Sequence, residues 1–197
     1  LATHSPLHCP RDEHPYKAPK KWALVLSCVD ARLLDDLVSY LDEDNLTNRY
    51  YHVTLPGTAL GLTDRVSEDT SDKKLLRQFR RWRTTFIDQV QAAIILTNGQ
   101  ISDIYIVQHE DCGAFRVYVN KDSDCLCGDE ELHLHRDYAH ALLKDFQQNF
   151  HEIWNPVDKV TGKGIQPGAP FVHTFFMDLR GHMRHLETWP ESQSEDH

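Results

Sequence analysis

The sequence predicts an α/β domain built on a central, mainly parallel β-sheet flanked by helices, and three observations point to it. Four short apolar runs, 22–27, 49–57, 103–108 and 171–179, have the length and composition of buried strands. The intervals between them are long enough for crossovers and mostly show helical periodicity, the pattern of parallel strands joined by right-handed connections. The first and third runs each end on cysteine, histidine or acidic residues, at the sheet edge where open parallel sheets place their chemistry.

In chain order, residues 1–20 hold four prolines and three histidines without apolar periodicity, and an N-terminal arm is expected there. "WALVLS" (22–27) is the first strand. Leu33, Leu34, Leu37, Val38 and Leu41 then recur at helical spacing, so the chain turns to helix after Arg32. "RYYHVTLPG" (49–57) is a second strand closed by Pro56 and Gly57, and 62–73 is a polar stretch. From Leu75 the apolar positions 75, 76, 79, 82, 86, 87, 90, 93 and 94 mark one helical face, ended near Asn98-Gly99. "DIYIVQ" (103–108) is the third strand and is followed by "HEDCG". A long amphipathic helix is predicted over 131–153, with Leu134, Tyr138, Leu142, Phe146, Phe150 and Ile153 inward. A loop over 162–170 leads to the fourth strand, 171–179, and 190–197 is a polar tail.

The length of 197 residues suits one domain spanning the chain. With 40% hydrophobic and 26% charged residues the composition is that of an ordinary globular protein. A formal charge of -9 argues against nucleic acid as a partner, since no general positive field would attract phosphates. The basic cluster "RQFRRWR" (77–83) reads better as the solvated face of a helix than as an anion or RNA patch. No apolar run is long enough to span a membrane, so no membrane association is expected. The odd set of five cysteines (9, 28, 112, 125 and 127) favours a reducing compartment or metal ligation, and the cytoplasm is the expected location. The chain begins at Leu1 rather than Met, which leaves an organelle-targeted form open.

"LSCVDAR" (26–32) places Cys28, Asp30 and Arg32 at alternating positions where the first strand ends, so they share a face if the strand conformation persists. His109 closes the third strand and Cys112 follows three residues later, near enough for a turn to bring it back. Two thiolates and an imidazole from two strand ends form a zinc set with a fourth position open, and soft sulfur and nitrogen donors favour zinc over magnesium or calcium. Taken singly, Cys28 reads as a small buried hydrophobe and His109 as a hydrogen-bonded core histidine. The combination of C-x-D-x-R after one strand with H-x-x-C-G after another favours the metal site.

This pair of motifs resembles the β-class carbonic anhydrases, with C-x-D-x-R matching Cys28, Asp30 and Arg32, and H-x-x-C matching His109 and Cys112. The resemblance implies a β-carbonic-anhydrase-like fold across about 22–180. It implies zinc (Zn2+) held by Cys28, His109 and Cys112, and an aspartate–arginine dyad of Asp30 and Arg32. Gly57, Thr58 and Gly113 would line the substrate space, and the chain would assemble as a homodimer or higher homo-oligomer. The family includes relatives that hydrolyse CS2 or COS with the same metal motif. Two departures stand out. Where the family usually carries an Arg-Asn-Ala-Gly-like segment, this chain reads "TLPGTALG" (54–61), and the stretch between the motifs is longer, with its excess around 62–80. Both leave the metal set intact and bear on substrate recognition and oligomer packing.

The chemistry expected of the set is reversible CO2 hydration to bicarbonate by a zinc-bound hydroxide. Neutral ligands bring the pKa of zinc-bound water to ~7, and two anionic thiolates weaken that effect, moving the working pH upward. Asp30 is expected either as a fourth ligand or as an acceptor that orients the hydroxide, with Arg32 deciding between them. The weighed alternatives are a CS2 or COS hydrolase and a non-catalytic zinc scaffold, and a structural site has no need of the dyad. A phosphatase loop is excluded because only three residues separate Cys28 from Arg32. "CLCG" (125–128), with His133 and His135 nearby, reads better as a loop followed by a helix with exposed histidines than as a second metal site.

Overall fold

The structure is a computed structural model describing residues 22–66, 70–119, 128–154 and 170–189, with residues 149–154 described as backbone. In chain order the elements are β1 (Trp22–Ser27), α1 (Leu34–Glu43), β2 (Tyr50–Thr54), α2 (Lys73–Leu96), β3 (Ile101–His109), α3 (Gly113–Tyr118), α4 (Gly128–Trp154), β4 (Phe171–Met177) and β5 (Met183–Trp189). The strands form a five-stranded sheet in the order β2-β1-β3-β4-β5. β1 pairs in parallel with β2 and β3, and β3 in parallel with β4, while β5 lies antiparallel to β4. This is the expected α/β architecture, a mostly parallel sheet flanked by helices.

β1 is a continuous apolar run because both faces of the sheet are covered. Phe175 meets Tyr40 of α1 with ring centroids 5.7 Å apart, whereas Phe176 meets His135 of α4 at 5.3 Å. Adjacent strand residues point to opposite faces, so α1 covers one side and α4 the other. α2 packs along α4 through Phe86 and Phe146, edge to face at 6.2 Å. Its buried stripe of Leu75, Phe79, Phe86, Val90, Ala93 and Ile94 follows the predicted face. The helix starts at Asp72, whose carboxylate accepts the N–H groups of Lys74 and Leu75, and it ends where Asn98 and Gly99 take positive φ. Tyr138, Leu142 and Phe146 of α4 are buried as expected, while the side chains of Phe150 and Ile153 lie outside the described residues.

The chain runs from β1 outward to β2, then back across to β3 on the other flank of β1. The crevice between the carboxyl ends of β1 and β3 is therefore the switch point of the sheet, where such folds bind ligands. Ser27 pairs with Val107 across it, which sets Cys28 beside the end of β3.

Several expectations change. β2 stops at Thr54 because Leu55–Thr58 form a turn, with the Thr58 N–H on the Leu55 carbonyl at 3.0 Å. β3 extends to 101–109, α4 begins at Gly128, and β4 ends at Met177 because Asp178 turns the chain by accepting the N–H groups of Arg180 and His182. α3 and β5 were not anticipated. β5 is an edge strand of half-buried and exposed residues, so it lacks the apolar run that marked the others. The stretch over 62–73 is not simply polar and solvated. Leu62 and Val66 are buried, and Arg65 reaches α4, 3.0 Å from Asp137 and over the Tyr138 ring. In the basic cluster Arg77, Arg80 and Arg81 are exposed, and Arg83 faces Asp64 and Asp145 at 3.5 Å each. Among the described residues no helix is long and apolar enough to cross a membrane. The expected arm (1–20), the tail (190–197), most of the 162–170 loop, and Cys9, Cys125 and Cys127 lie outside the described residues.

Candidate metal centre

Cys28 leaves β1 as the sheet ends, 6% exposed, and His109 and Cys112 come from the end of β3 and the turn after it. The three donor atoms lie within 4.8 Å of one another, a group able to hold a metal ion, and all three residues are buried. The two sulfurs are 4.0 Å apart.

The local hydrogen bonds leave these atoms ready to ligate. A carbonyl can only accept, so the 2.7 Å contact of His109 Nδ1 with the Glu110 carbonyl makes Nδ1 the protonated nitrogen. Nε2 is then a bare lone pair, and it is buried without a hydrogen-bond partner among the described residues. Cys28 Sγ accepts the Gly57 N–H at 3.3 Å. Its thiol is drawn down to about 4, first by the neighbouring Cys112 sulfur, against the opposing effect of burial, and further by the Gly57 amide. The Cys112 thiol is pushed up by the adjacent Cys28 sulfur and by burial. A bound cation would deprotonate both. The donor chemistry and the orphaned imidazole nitrogen therefore fit zinc.

The loop after β2 floors this set. Gly57 sits at φ 71°, and a Cβ there would meet Leu60 at 2.9 Å and Ala114 at 3.2 Å. Thr58 is buried, with its hydroxyl on the Val107 carbonyl at 3.0 Å, which pins "TLPGTALG" to β3. Gly113 opens α3 directly after Cys112, with open space where a Cβ would stand.

Beside the set, Arg32 grips Asp30 with both sides of its guanidinium fork, Nε on Oδ1 at 3.0 Å and Nη2 on Oδ2 at 2.7 Å. The Arg32 backbone N–H adds a third bond to Oδ1. Arg32 holds the Asp30 carboxyl down at about 2 despite some desolvation. Asp30 is not one of the atoms that converge within 4.8 Å.

Sequence reasoning did not single out the residues that brace this arrangement. Asp111, at φ 54°, accepts Arg32 Nη1 on its carboxylate at 2.8 Å and Nη2 on its carbonyl at 3.0 Å. Arg116 pairs with its other oxygen. Asp111 lies inside "HEDCG", so the motif contained it without marking its role. Glu131 and His135, both buried on α4, had no local signal. His135 corrects the expectation of exposed histidines: it packs on Phe115 at 4.1 Å between ring centroids, whereas His133 is exposed. Gln108 donates its amide to the His135 carbonyl at 2.5 Å, which turns its Oε1 to His135 Nδ1 at 3.0 Å. His135 is thus an Nδ1–H tautomer, and burial drives its pKa down to about 3, with His109 adding to the effect. Burial pushes the Glu131 carboxyl up, although the Asp111 and Cys112 amides oppose it.

No protein-family model matches the chain. Among curated proteins it is similar to an uncharacterized protein of Rickettsia conorii, 27% identical over 111 residues that make up 56% of this chain and 52% of the relative. It is also similar to an uncharacterized protein of Rickettsia bellii, 23% identical over 141 residues, 72% of this chain and 77% of the relative. The chain thus spans about half the length of the first of these. Among solved structures it is similar to one from a study of two tetrameric β-carbonic anhydrases of the filamentous ascomycete Sordaria macrospora. That likeness has a TM-score of 0.40 and 12% identity, and covers 86% of this chain and 82% of the other.

Proposed function

We propose that this chain is a zinc-dependent lyase of the β-carbonic-anhydrase type that interconverts carbon dioxide and bicarbonate. One observation carries the reading: a buried, bare imidazole nitrogen and two buried sulfurs converge beside a carboxylate that an arginine fork holds aside. Zinc held by Cys28, His109 and Cys112 would supply the Lewis acidity that activates water for attack on the carbon of CO2.

The rest of the chemistry belongs to the protein. Asp30, held near a pKa of about 2, is charged at neutral pH and is too weak a base to keep a proton there. Its role is to accept a hydrogen bond and orient the attacking oxygen, not to store a proton. Arg32 keeps both carboxylate oxygens engaged, which opposes their capture as a metal ligand. Pinning of Thr58 to β3 and of the Gly57 amide to Cys28 fixes the floor over which a small linear substrate would sit.

CS2 and COS present an electrophilic carbon to the same groups, so turnover should be measured on all three substrates. Stopped-flow assays of zinc-loaded protein are expected to show CO2 hydration as the fastest reaction. Faster turnover of CS2 or COS would move the assignment to a hydrolase. Zinc binding without turnover of any of the three would leave a scaffold.

A further inference from the structure

We propose that Glu131, in the first turn of α4, is the positioning residue for the ligand loop that carries Cys112 and for the arginine that holds Asp30. This rests on the metal-centre reading above. The carboxylate is 1% exposed, and its Oε1 accepts the Asp111 N–H at 2.7 Å. The Cys112 amide also favours its charged form. These amides belong to neither strand nor helix ladder, because Asp111 stands in the left-handed region between β3 and α3. Without Glu131 the part-buried Asp111 N–H would lose the acceptor the fold gives it, a loss that folded proteins avoid.

What the carboxylate fixes reaches the metal set in two directions. Through the Asp111 amide it fixes the backbone directly before Cys112, from which one sulfur ligand projects. Through Asp111 it sets the carboxylate and carbonyl that receive Arg32 at 2.8 and 3.0 Å, and Arg32 in turn holds Asp30. A second stitch, Gln108 to His135, ties α4 to β3 just before His109, so the helix braces the ligand segment at both ends. Among the described residues of α4 no lysine or arginine pairs with Glu131. His135 Nε2 is 3.9 Å away and, by its tautomer, carries no proton. Acceptor geometry rather than charge is the function of Glu131.

That distinction gives the test. Zinc affinity is measured by chelator competition, and the ligand-field spectrum of the cobalt(II)-substituted protein is recorded, for wild type, Glu131→Ala, Glu131→Gln and Glu131→Asp. Loss of the acceptor should weaken zinc binding by roughly 10–100-fold, the range for partners that orient metal ligands, and should alter the cobalt spectrum. Glu131→Gln keeps the reach and an acceptor oxygen, so it should return to within a few-fold of wild type with the native spectrum. Glu131→Asp keeps the charge but withdraws the oxygens by one methylene, and should fall with alanine. If Glu131→Ala does not fold, the order of Gln over Asp still decides. Wild-type affinity and spectrum in Glu131→Ala, or Asp outperforming Gln, would overturn the proposal. A wild-type protein that binds no zinc would overturn the metal centre itself, a result distinct from either.

Discussion

Asp30 and Arg32 meet through two side-chain bonds of 3.0 and 2.7 Å, and that contact, more than burial, sets the acidity of Asp30. The sign of its pH dependence follows. The folded pKa, about 2, lies below the unfolded value of ~3.9, so the pair contributes stability above that unfolded value. The contribution is lost as pH falls toward the folded one. In a carboxyl-carbon NMR titration, Arg32→Ala should move the Asp30 midpoint up toward the ordinary aspartate range, and an unmoved midpoint would show that Arg32 is not its cause. The same substitution should keep one zinc per chain and lower CO2 hydration by on the order of 10–100-fold, in line with other groups that orient a metal's ligands. At this scale the sequence was most legible where spacing alone implied chemistry. Cys28, His109 and Cys112 do converge, because they stand at or just beyond the ends of two neighbouring strands. Asp111 and Glu131 were not legible. Their importance comes from a left-handed backbone residue and from a helix 20 residues away, neither of which a local pattern records.

Elements were legible in proportion to how deeply they are buried. β1, β3 and α2 carry continuous or periodic apolar residues and formed as expected, β3 with extra residues at both ends. β5 sits at the edge with charged residues facing solvent, and α3 is only six residues long, so neither has a pattern of its own. The 62–80 excess reads differently once packed, since it supplies Arg65 against α4 and the first turns of α2. Gly61 marks the tightest point of that packing. A Cβ there would lie 2.5 Å from the Trp82 ring and 3.0 Å from Phe79. Gly61→Ala should therefore destabilise the fold by ~1–3 kcal/mol in urea unfolding while leaving zinc content unchanged. Asp72→Ala, which removes the cap of α2, should cost about 1 kcal/mol with the same indifference of the metal. Loss of zinc from the folded protein in either variant would mean that the packing of α2 and the metal centre are coupled.

For the molecule as a whole, the sheet order was legible only in part. Parallel strands followed from the spacing of the runs, but the crossing from β2 back past β1 to β3 is a three-dimensional fact. That crossing brings Cys28 and His109 into one crevice. A ligand that binds only the folded chain stabilises it by mass action, so zinc should raise the thermal midpoint and a chelator should lower it. Cys28→Ser, His109→Ala and Cys112→Ser should each abolish that zinc-dependent shift, whereas Cys9→Ser, Cys125→Ser and Cys127→Ser should preserve it. A homodimer or larger assembly is the expectation that the motif resemblance implies, and sedimentation of the zinc-loaded protein tests it. The most direct measurement is X-ray absorption at the zinc edge of the purified, zinc-loaded protein, with metal content determined on the same sample. One zinc per chain is expected, with two sulfurs at about 2.3 Å and one imidazole nitrogen at about 2.0–2.1 Å. A zinc shell of oxygen and nitrogen without sulfur, or no stoichiometric zinc after loading, would contradict the metal centre on which the assignment stands.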